Sequence, residues 1–482
     1  MNMIHSKQST KGRIWTALWS FLLLSILQIA DAPLYASVQS LEIASNPFFS
    51  VFFDAEKGVV SIFRVKNQPF VTGLVCAVNA GAPVQNVIFS DYNFSSVQSF
   101  PLDDSLGRGT KTIISGRDSS HQLNVELQIS LYDQWQAVVI EAICSNVSGK
   151  DIFVRSIEPL RVIREESGSL FCPGASKCLL NGAMYYDAGS IHTLGEPFRK
   201  SEPYGEAKGG RMVGRTLSDH DQAVESWWNI GLFSGYDREA ITIGYLENRH
   251  SVGRIQLVKT DPDRISFVAE SVFNQGHLLK PGQRIGSDKV MIGIASDPYQ
   301  SLESYAEMVG RWNQSLTGDI VNGWCHWFYT MDSFSEEEIL RNAQFAAQNL
   351  QPYGLKYIQL DEGYQVAHGN WEGNSRFPHG MKWLAEQIRA LGLKPGIWVA
   401  PFVISETTGL FRDHPDWLLK NADGSLKRIG PWPGEETDWY RNEDPKRYGL
   451  DITHPEAEKW FADLIDTLVN GWGYEMLKID FV

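Results

Sequence analysis

Positive charge is scarce in this chain: 43 Lys and Arg residues stand against 57 Asp and Glu, a formal net charge of −14 over 482 residues. No basic run breaks that balance, which argues against nucleic acid and against anionic membrane surfaces as partners. Cysteine is scarcer still. Five cysteines in so long a chain make no disulfide framework, although Cys172 and Cys178 flank a Pro-Gly turn and are spaced to pair in an oxidising compartment. Neither the cysteines nor the 11 scattered histidines have the spacing of a zinc site, so no metal or cofactor is implied. Beyond the first 36 residues no stretch is apolar for long enough to cross a bilayer, so no integral span is expected in the mature protein.

The start of the chain is a different matter. Lys7, Lys11 and Arg13 precede an apolar run from Trp15 through Leu22, Leu23, Leu24, Ile26 and Leu27 to Ala30, with small residues at Ala32 and Ala36. A basic lead, a short apolar stretch and a small-residue exit describe a secretory signal peptide over residues 1–36, and a secreted or periplasmic location is expected. Aromatic residues make up 12% of the chain, including 16 Trp, and exposed rings suit the apolar faces of sugars.

From residue 41 to 297 the texture is β. Ser50–Asp54 and Val59–Phe63 flank an Ala-Glu-Lys-Gly turn, and further strands read at 125–131, 137–143, 152–157, 240–245, 264–268 and 289–294. Many short strands with polar turns predict a large antiparallel β-sandwich. Leu302, Tyr305, Ala306, Val309 and Trp312 then share one helical face, a linker helix within 298–317 that packs on a neighbour.

After residue 318 strand and helix patterns alternate, which is the signature of a parallel α/β domain. Strands are expected at 321–329, 356–360, 394–400 and 475–482. Ser335 and Glu338 form a capping box ahead of a helix burying Ile339, Ala343, Ala346 and Leu350. A second helix buries Met381, Leu384, Ile388 and Leu391, and a third, capped by Thr453 and Glu456, buries Phe461, Leu464, Ile465 and Leu468. Tyr353-Gly354-Leu355-Lys356 is echoed 38 residues later by Leu391-Gly392-Leu393-Lys394, the period of one βα unit. Residues 318–482 thus read as four of the eight units of a (β/α)8 barrel, a first half ending within the domain. The fold class is a multidomain β and α/β chain, and a fragment is expected.

In a parallel barrel the C-terminal strand ends carry the chemistry. Those ends bring Trp327 and Tyr329, Asp361 and Glu362, Trp398, and Lys478 and Asp480. Carboxylates accept paired sugar hydroxyls, a lysine holds a nearby aspartate ionised, and indoles cover C–H faces. Lys478 and Asp480 stand two apart on an otherwise apolar strand, hence on one side of it, where two charges cost too much unless paired and used.

Gly323-Trp324-Cys325-His326-Trp327-Phe328, Tyr357-Ile358-Gln359-Leu360-Asp361-Glu362-Gly363-Tyr364, Arg376-Phe377-Pro378-His379-Gly380, Gly392-Leu393-Lys394-Pro395-Gly396-Ile397-Trp398 and Leu477-Lys478-Ile479-Asp480 follow in an order that resembles the retaining α-galactosidases of glycoside hydrolase families 27 and 36. Asn370-Trp371, Leu450-Asp451-Ile452-Thr453 and the β domain ahead of the barrel look more like family 36. The resemblance implies Asp480 as nucleophile, Lys478 on a sugar hydroxyl beside it, Asp361 on the hydroxyls around C4 and C6 that mark galactose, Glu362 as the substrate-binding carboxylate next to it, and Trp327 and Trp398 lining the pocket. Trp371 and Arg447 carry over from irregular loops. The implied substrate is an α-galactoside oligosaccharide or polysaccharide, cleaved without metal or cofactor.

A retaining mechanism needs a second carboxyl group about 5 to 5.5 Å from the first. The resemblance puts it on a later strand, so no residue here takes that role, and a half-barrel with open parallel edges is expected to be inactive. The family usually has two aspartates where this chain has Asp361-Glu362, and commonly an acidic residue near Ala400. Those departures leave α-N-acetylgalactosaminidase open beside α-galactosidase, with a raffinose-synthase-like transglycosylase and a non-catalytic carbohydrate-binding remnant as further alternatives.

Overall fold

Alternating apolar side chains between residues 40 and 295 build two ten-stranded antiparallel sheets. They are seen in a computed structural model that describes residues 40–81, 87–182, 189–198, 217, 222–235, 238–316, 318, 320–421, 423–429 and 445–481. The expected export signal, residues 1–36, lies outside the described residues. Two compact units divide at residues 316 and 317.

In the first unit one sheet runs in the order Ser40–Ser45, Phe49–Asp54, Val59–Arg64, Gln68–Ala80, Ile152–Val162, Arg264–Leu279, Val252–Asp261 and Val224–Trp227. The other runs from Ser190–Thr193 through Lys177–Leu180, Asn229–Phe233, Ala240–Tyr245, Val290–Ala295, Ala137–Asn146, Leu123–Tyr132 and Gly107–Asp118 to Tyr92–Asp104. The expected hairpin is present, with Asp54 opposite Val59. Leu123, Val125, Leu127, Ile129 and Leu131 all point into the shared core with Ile255, Leu257, Ile265 and Phe267 of the other sheet. Each such side chain contributes about 1.5 to 3 kcal/mol by leaving water. The Tyr92–Asp104 strand escaped the sequence reading because it is mostly exposed and polar.

The other face of the first sheet is unexpectedly polar and still buried: Asn79, Ser156, Glu158, Arg161, Glu225, Arg254, Gln256 and Glu270. Arg254 donates through Nε to Glu270 at 3.0 Å and lies 3.9 Å from Glu225. Arg161 reaches Glu158 at 2.8 Å and Glu166 at 2.6 Å. Burial pushes the Glu270 carboxyl up, and the Arg254 guanidinium opposes that push.

Cys172 and Cys178 do not pair; all five cysteines carry free thiols. Strand register sets Cys178 opposite His192 and Leu232, and its thiol lies 3.7 Å from the His192 carbonyl, not toward Cys172. Burial pushes both thiols up to about 12.

Helix Pro298–Trp312, capped by the Asp297 carboxylate on the Gln300 amide at 2.9 Å, packs on strands Ala240–Tyr245 and Val290–Ala295 of its own unit. Its contact face centres on Met308 and Ser301, while Ala306, expected inward, is exposed. The Tyr305 hydroxyl donates to the Tyr245 carbonyl at 2.8 Å, and the Trp312 indole to Glu247 at 2.8 Å.

The second unit holds four parallel strands in chain order, Gly323–Cys325, Tyr357–Leu360, Lys394–Val399 and Met476–Ile479. The capping box at Ser335 and Glu338 is present, and Ile339, Ala343 and Ala346 are buried beneath it, but Leu350 caps the helix end and is 38% exposed. The third helix, Pro455–Asp466, is capped by His454 in place of the expected Thr453, whose hydroxyl and amide both turn back to Asp451. Among the described residues no helix is long and apolar enough to cross a membrane.

Candidate functional site

Parallel register arranges the inward side chains of the four strands in layers. Cys325, Gln359, Gly396 and Met476 are register partners across the sheet, and Trp398 pairs with Lys478 in the layer above. Asp361 follows directly on the Leu360–Ile397 pair, and Asp480 is tied to the end of the third strand by its amide on the Val399 carbonyl at 2.9 Å. Because strand side chains alternate, Gln359 and Asp361 fall on one side while Ile358 and Leu360 fill the core on the other.

Asp361 is 2% exposed. Its Oδ2 accepts from Lys478 Nζ at 2.8 Å, Gln359 Nε2 at 2.7 Å and Cys325 Sγ at 3.4 Å, and Oδ1 accepts from the Glu362 amide at 3.0 Å. Burial, with the carboxylate beside it, pushes the Cys325 thiol up to about 11. Lys478 therefore reaches across the third strand to the second and bonds Asp361, not Asp480 as the two-apart spacing implied. Its side chain also stays 41% exposed, so the full desolvation cost expected for an inward pair is not incurred.

Asp480 is held from two sides: Oδ2 accepts from the Trp398 indole N–H at 3.1 Å and Oδ1 from the Phe481 amide at 2.9 Å. Trp398 is 1% exposed, and its carbonyl accepts from the Tyr364 hydroxyl at 3.0 Å. Trp371 packs edge-on against it with ring centroids 5.8 Å apart, and His368 meets both rings at 6.0 and 5.9 Å. The Glu362 carboxylate lies 3.2 Å from His368 Nε2 but off the hydrogen-bond direction, and that nitrogen, like the Trp371 indole N–H, is buried without a hydrogen-bond partner. Gly363, at φ +114°, turns Glu362 away from the strand; a Cβ there would come within 2.7 Å of Asp332 Cα.

Asp361 and Lys478, Trp398 and Asp480, and Trp371, Trp398 and Glu362 through His368 thus gather at one strand-end face. Trp327 and Arg447 arrive differently. The first strand stops at Cys325, well short of the expected 329, because the chain coils at once into a single turn, Trp327–Thr330. Trp327 is half-buried with its amide at the Cys325 thiol, and Tyr329 is 88% exposed. Arg447 is buried in a small antiparallel sheet of the long insertion, opposite Ser405.

The sequence reading missed His326. Its Nε2 accepts the Asp361 amide at 2.8 Å, its Nδ1 lies 3.2 Å from Thr330 Oγ1, and its ring lies tilted against Phe334 with centroids 3.5 Å apart. Burial lowers its pKa to about 4 despite the neighbouring Asp361. Since the ring titrates near 6.5 when exposed, its linkage favours the fold fully above that value and is lost as pH falls toward 4, on the order of 3 kcal/mol in all. The stability gap between wild type and His326→Gln is expected to shrink between pH 7 and pH 4.5 in urea unfolding followed by Trp fluorescence; a gap constant with pH would contradict the neutral, buried ring.

Among the described residues no group of three or more His, Cys, Asp or Glu side chains could hold a metal ion. A family model described as Melibiase matches residues 287–481. The chain is similar to α-galactosidase AgaA of Geobacillus stearothermophilus, 25% identical over 329 residues, covering 64% of this chain and 41% of the relative. It is also similar to a probable α-galactosidase G of Emericella nidulans, 22% identical over 463 residues, 88% of this chain and 54% of the relative. The chain spans about half the length of these relatives. In fold it resembles the crystal structure of the family 36 α-galactosidase AgaA from G. stearothermophilus at TM-score 0.55 and 17% identity, over 86% of this chain and 55% of that one. Residues 287–481 thus carry a melibiase domain, and with its β-sandwich followed by parallel barrel strands the chain is similar to family 36 α-galactosidases.

Proposed function

We propose that this chain belongs to an exported, retaining glycosidase that releases terminal α-galactosyl residues from oligosaccharides or polysaccharides, with Asp480 as nucleophile. One observation carries the reading: the Asp480 carboxylate sits at a barrel strand end, aimed by the Trp398 indole, two residues beyond the lysine of the Asp361–Lys478 ion pair. In the first displacement an Asp480 oxygen bonds the anomeric carbon as the leaving oxygen departs with a proton from an acid. In the second, water takes the sugar and returns the proton. The AgaA structure of G. stearothermophilus in complex with stachyose, TM-score 0.55, supports an α-galactoside oligosaccharide as the substrate class. Export rests on the basic lead and apolar run of residues 1–36, and N-terminal sequencing of the mature protein checks it.

A second reading, α-N-acetylgalactosaminidase, has its own support. Glu362 is turned to His368, and the buried Trp371 N–H has no partner, a donor suited to an acetamido carbonyl. Full-length protein supplied with nitrophenyl α-galactoside and nitrophenyl α-N-acetylgalactosaminide separates the two. Turnover of the galactoside at least tenfold faster in kcat/KM is expected; preference for the acetamido sugar would transfer the assignment, and silence on both would end it.

A further inference from the structure

We infer that His326 is a positioning residue that holds the Asp361 carboxylate so that it accepts a single sugar hydroxyl through Oδ1. The inference rests on the glycosidase reading for its ligand, but not for its geometry. Oδ2 of Asp361 already accepts three donors, from Lys478, Gln359 and Cys325, and has no lone pair left. Oδ1 accepts only the Glu362 amide among the described contacts and retains one. The resemblance had implied that this carboxylate binds the hydroxyls around two sugar carbons; donor counting leaves room for one, with the remaining Lys478 N–H groups free to donate beside it.

What fixes this presentation is the backbone of Asp361 itself. Its amide emerges past the end of the strand and is buried, so it needs an acceptor. His326 Nε2 supplies one at 2.8 Å. An N–H pointing at Nε2 requires that nitrogen to be unprotonated, which assigns the ring as the neutral Nδ1–H tautomer, donating to Thr330 Oγ1 at 3.2 Å. The tilted contact with Phe334, 33° between the ring planes, restrains the imidazole. The charged groups nearest are Asp361 and, beyond it, Lys478, with the Arg376 guanidinium 5.8 Å from the far ring partner Phe334. The first strand ends early for the same reason: the turn at Trp327–Thr330 brings Thr330 back over the imidazole.

His326→Gln keeps a strong acceptor where Nε2 stood, and His326→Met keeps the bulk with only a weakly accepting thioether. In full-length protein, His326→Met is expected to lower kcat/KM on nitrophenyl α-galactoside by 10- to 100-fold, mostly through KM, because the hydroxyl contact exists before and after bond breaking. His326→Gln should return to within about threefold of wild type. A merely structural role would not give this split or this rescue. An independent readout is labelling by Ellman's reagent of Cys325, the half-exposed cysteine beside Asp361, with Cys325→Ser as blank. His326→Met should label severalfold faster than wild type, and His326→Gln at the wild-type rate. Folded His326→Met with unchanged kinetics and labelling, or His326→Gln as impaired as Met, would overturn the inference. Should wild type turn over no galactoside, the substrate reading falls alone and the labelling series still decides His326.

Discussion

Asp480→Gly in the full-length protein is expected to lose roughly 10⁴-fold or more of its turnover of nitrophenyl α-galactoside while retaining its fold. The reason is local. Asp480 is partly exposed at a strand end, and its carboxylate accepts from the indole N–H of Trp398 and the amide of Phe481, so its removal opens a gap at the strand end in which water takes up those two donors. A small anion should then substitute for the missing nucleophile. Added azide is expected to restore part of the activity and to give a β-configured galactosyl azide, since it attacks from the face that the carboxylate occupied. Loss of activity without azide rescue would point to a positioning role for Asp480.

The second large effect is on stability and lies in the sandwich. Arg254→Met strips the cation from Glu270 and Glu225, which are 3% and 9% exposed. Breaking a buried pair from one side typically costs about 3 to 5 kcal/mol, because the carboxylates lose their cation while staying out of water, and the neutral Gln256 amide on Glu225 does not replace that charge. Urea unfolding of the variant should show a first-unit midpoint lowered accordingly, and adding Glu270→Gln should return part of the loss. An unfolding free energy within about 0.5 kcal/mol of wild type would mean that water reaches this face, contrary to its burial.

Where two periodicities agreed, the sequence was a good guide. The barrel strands at 357–360 and 394–399 were legible from β-branched and apolar runs bounded by Gly-Leu-Lys leads, and the capping box at Ser335 was legible from two residues. The sandwich hairpin at 49–64 was legible because its turn is polar and its strands alternate. What was not legible was every feature decided across elements. Nothing in the spacing of Lys478 and Asp480 says that the lysine crosses the neighbouring strand to Asp361, because that depends on register with Trp398. The polar face carrying Arg254 and Glu270 alternates like a solvated surface, and only tertiary structure buries it. His454 displaced Thr453 as a cap because Asp451 captured the threonine first, a local competition between two acceptable solutions. For His326 a signal existed: a histidine directly after a strand residue in an otherwise apolar and aromatic segment has few ways to be buried, and all of them need a donor from elsewhere.

The two bonds to Asp480 arrive on different oxygens, and that has a torsional consequence. A carboxylate held through one oxygen can still swing about its Cβ–Cγ bond, but with the indole N–H on Oδ2 and a main-chain N–H on Oδ1, its plane is fixed before any sugar arrives. The rotational freedom that a free carboxylate would surrender on attack has thus been surrendered during folding, along with the choice of which lone pair faces the pocket. Lengthening the side chain by one methylene, as in Asp480→Glu, would displace both oxygens by more than an ångström and break the pair of bonds together. On this view the barrel strand serves less to carry a charge than to stop a rotor.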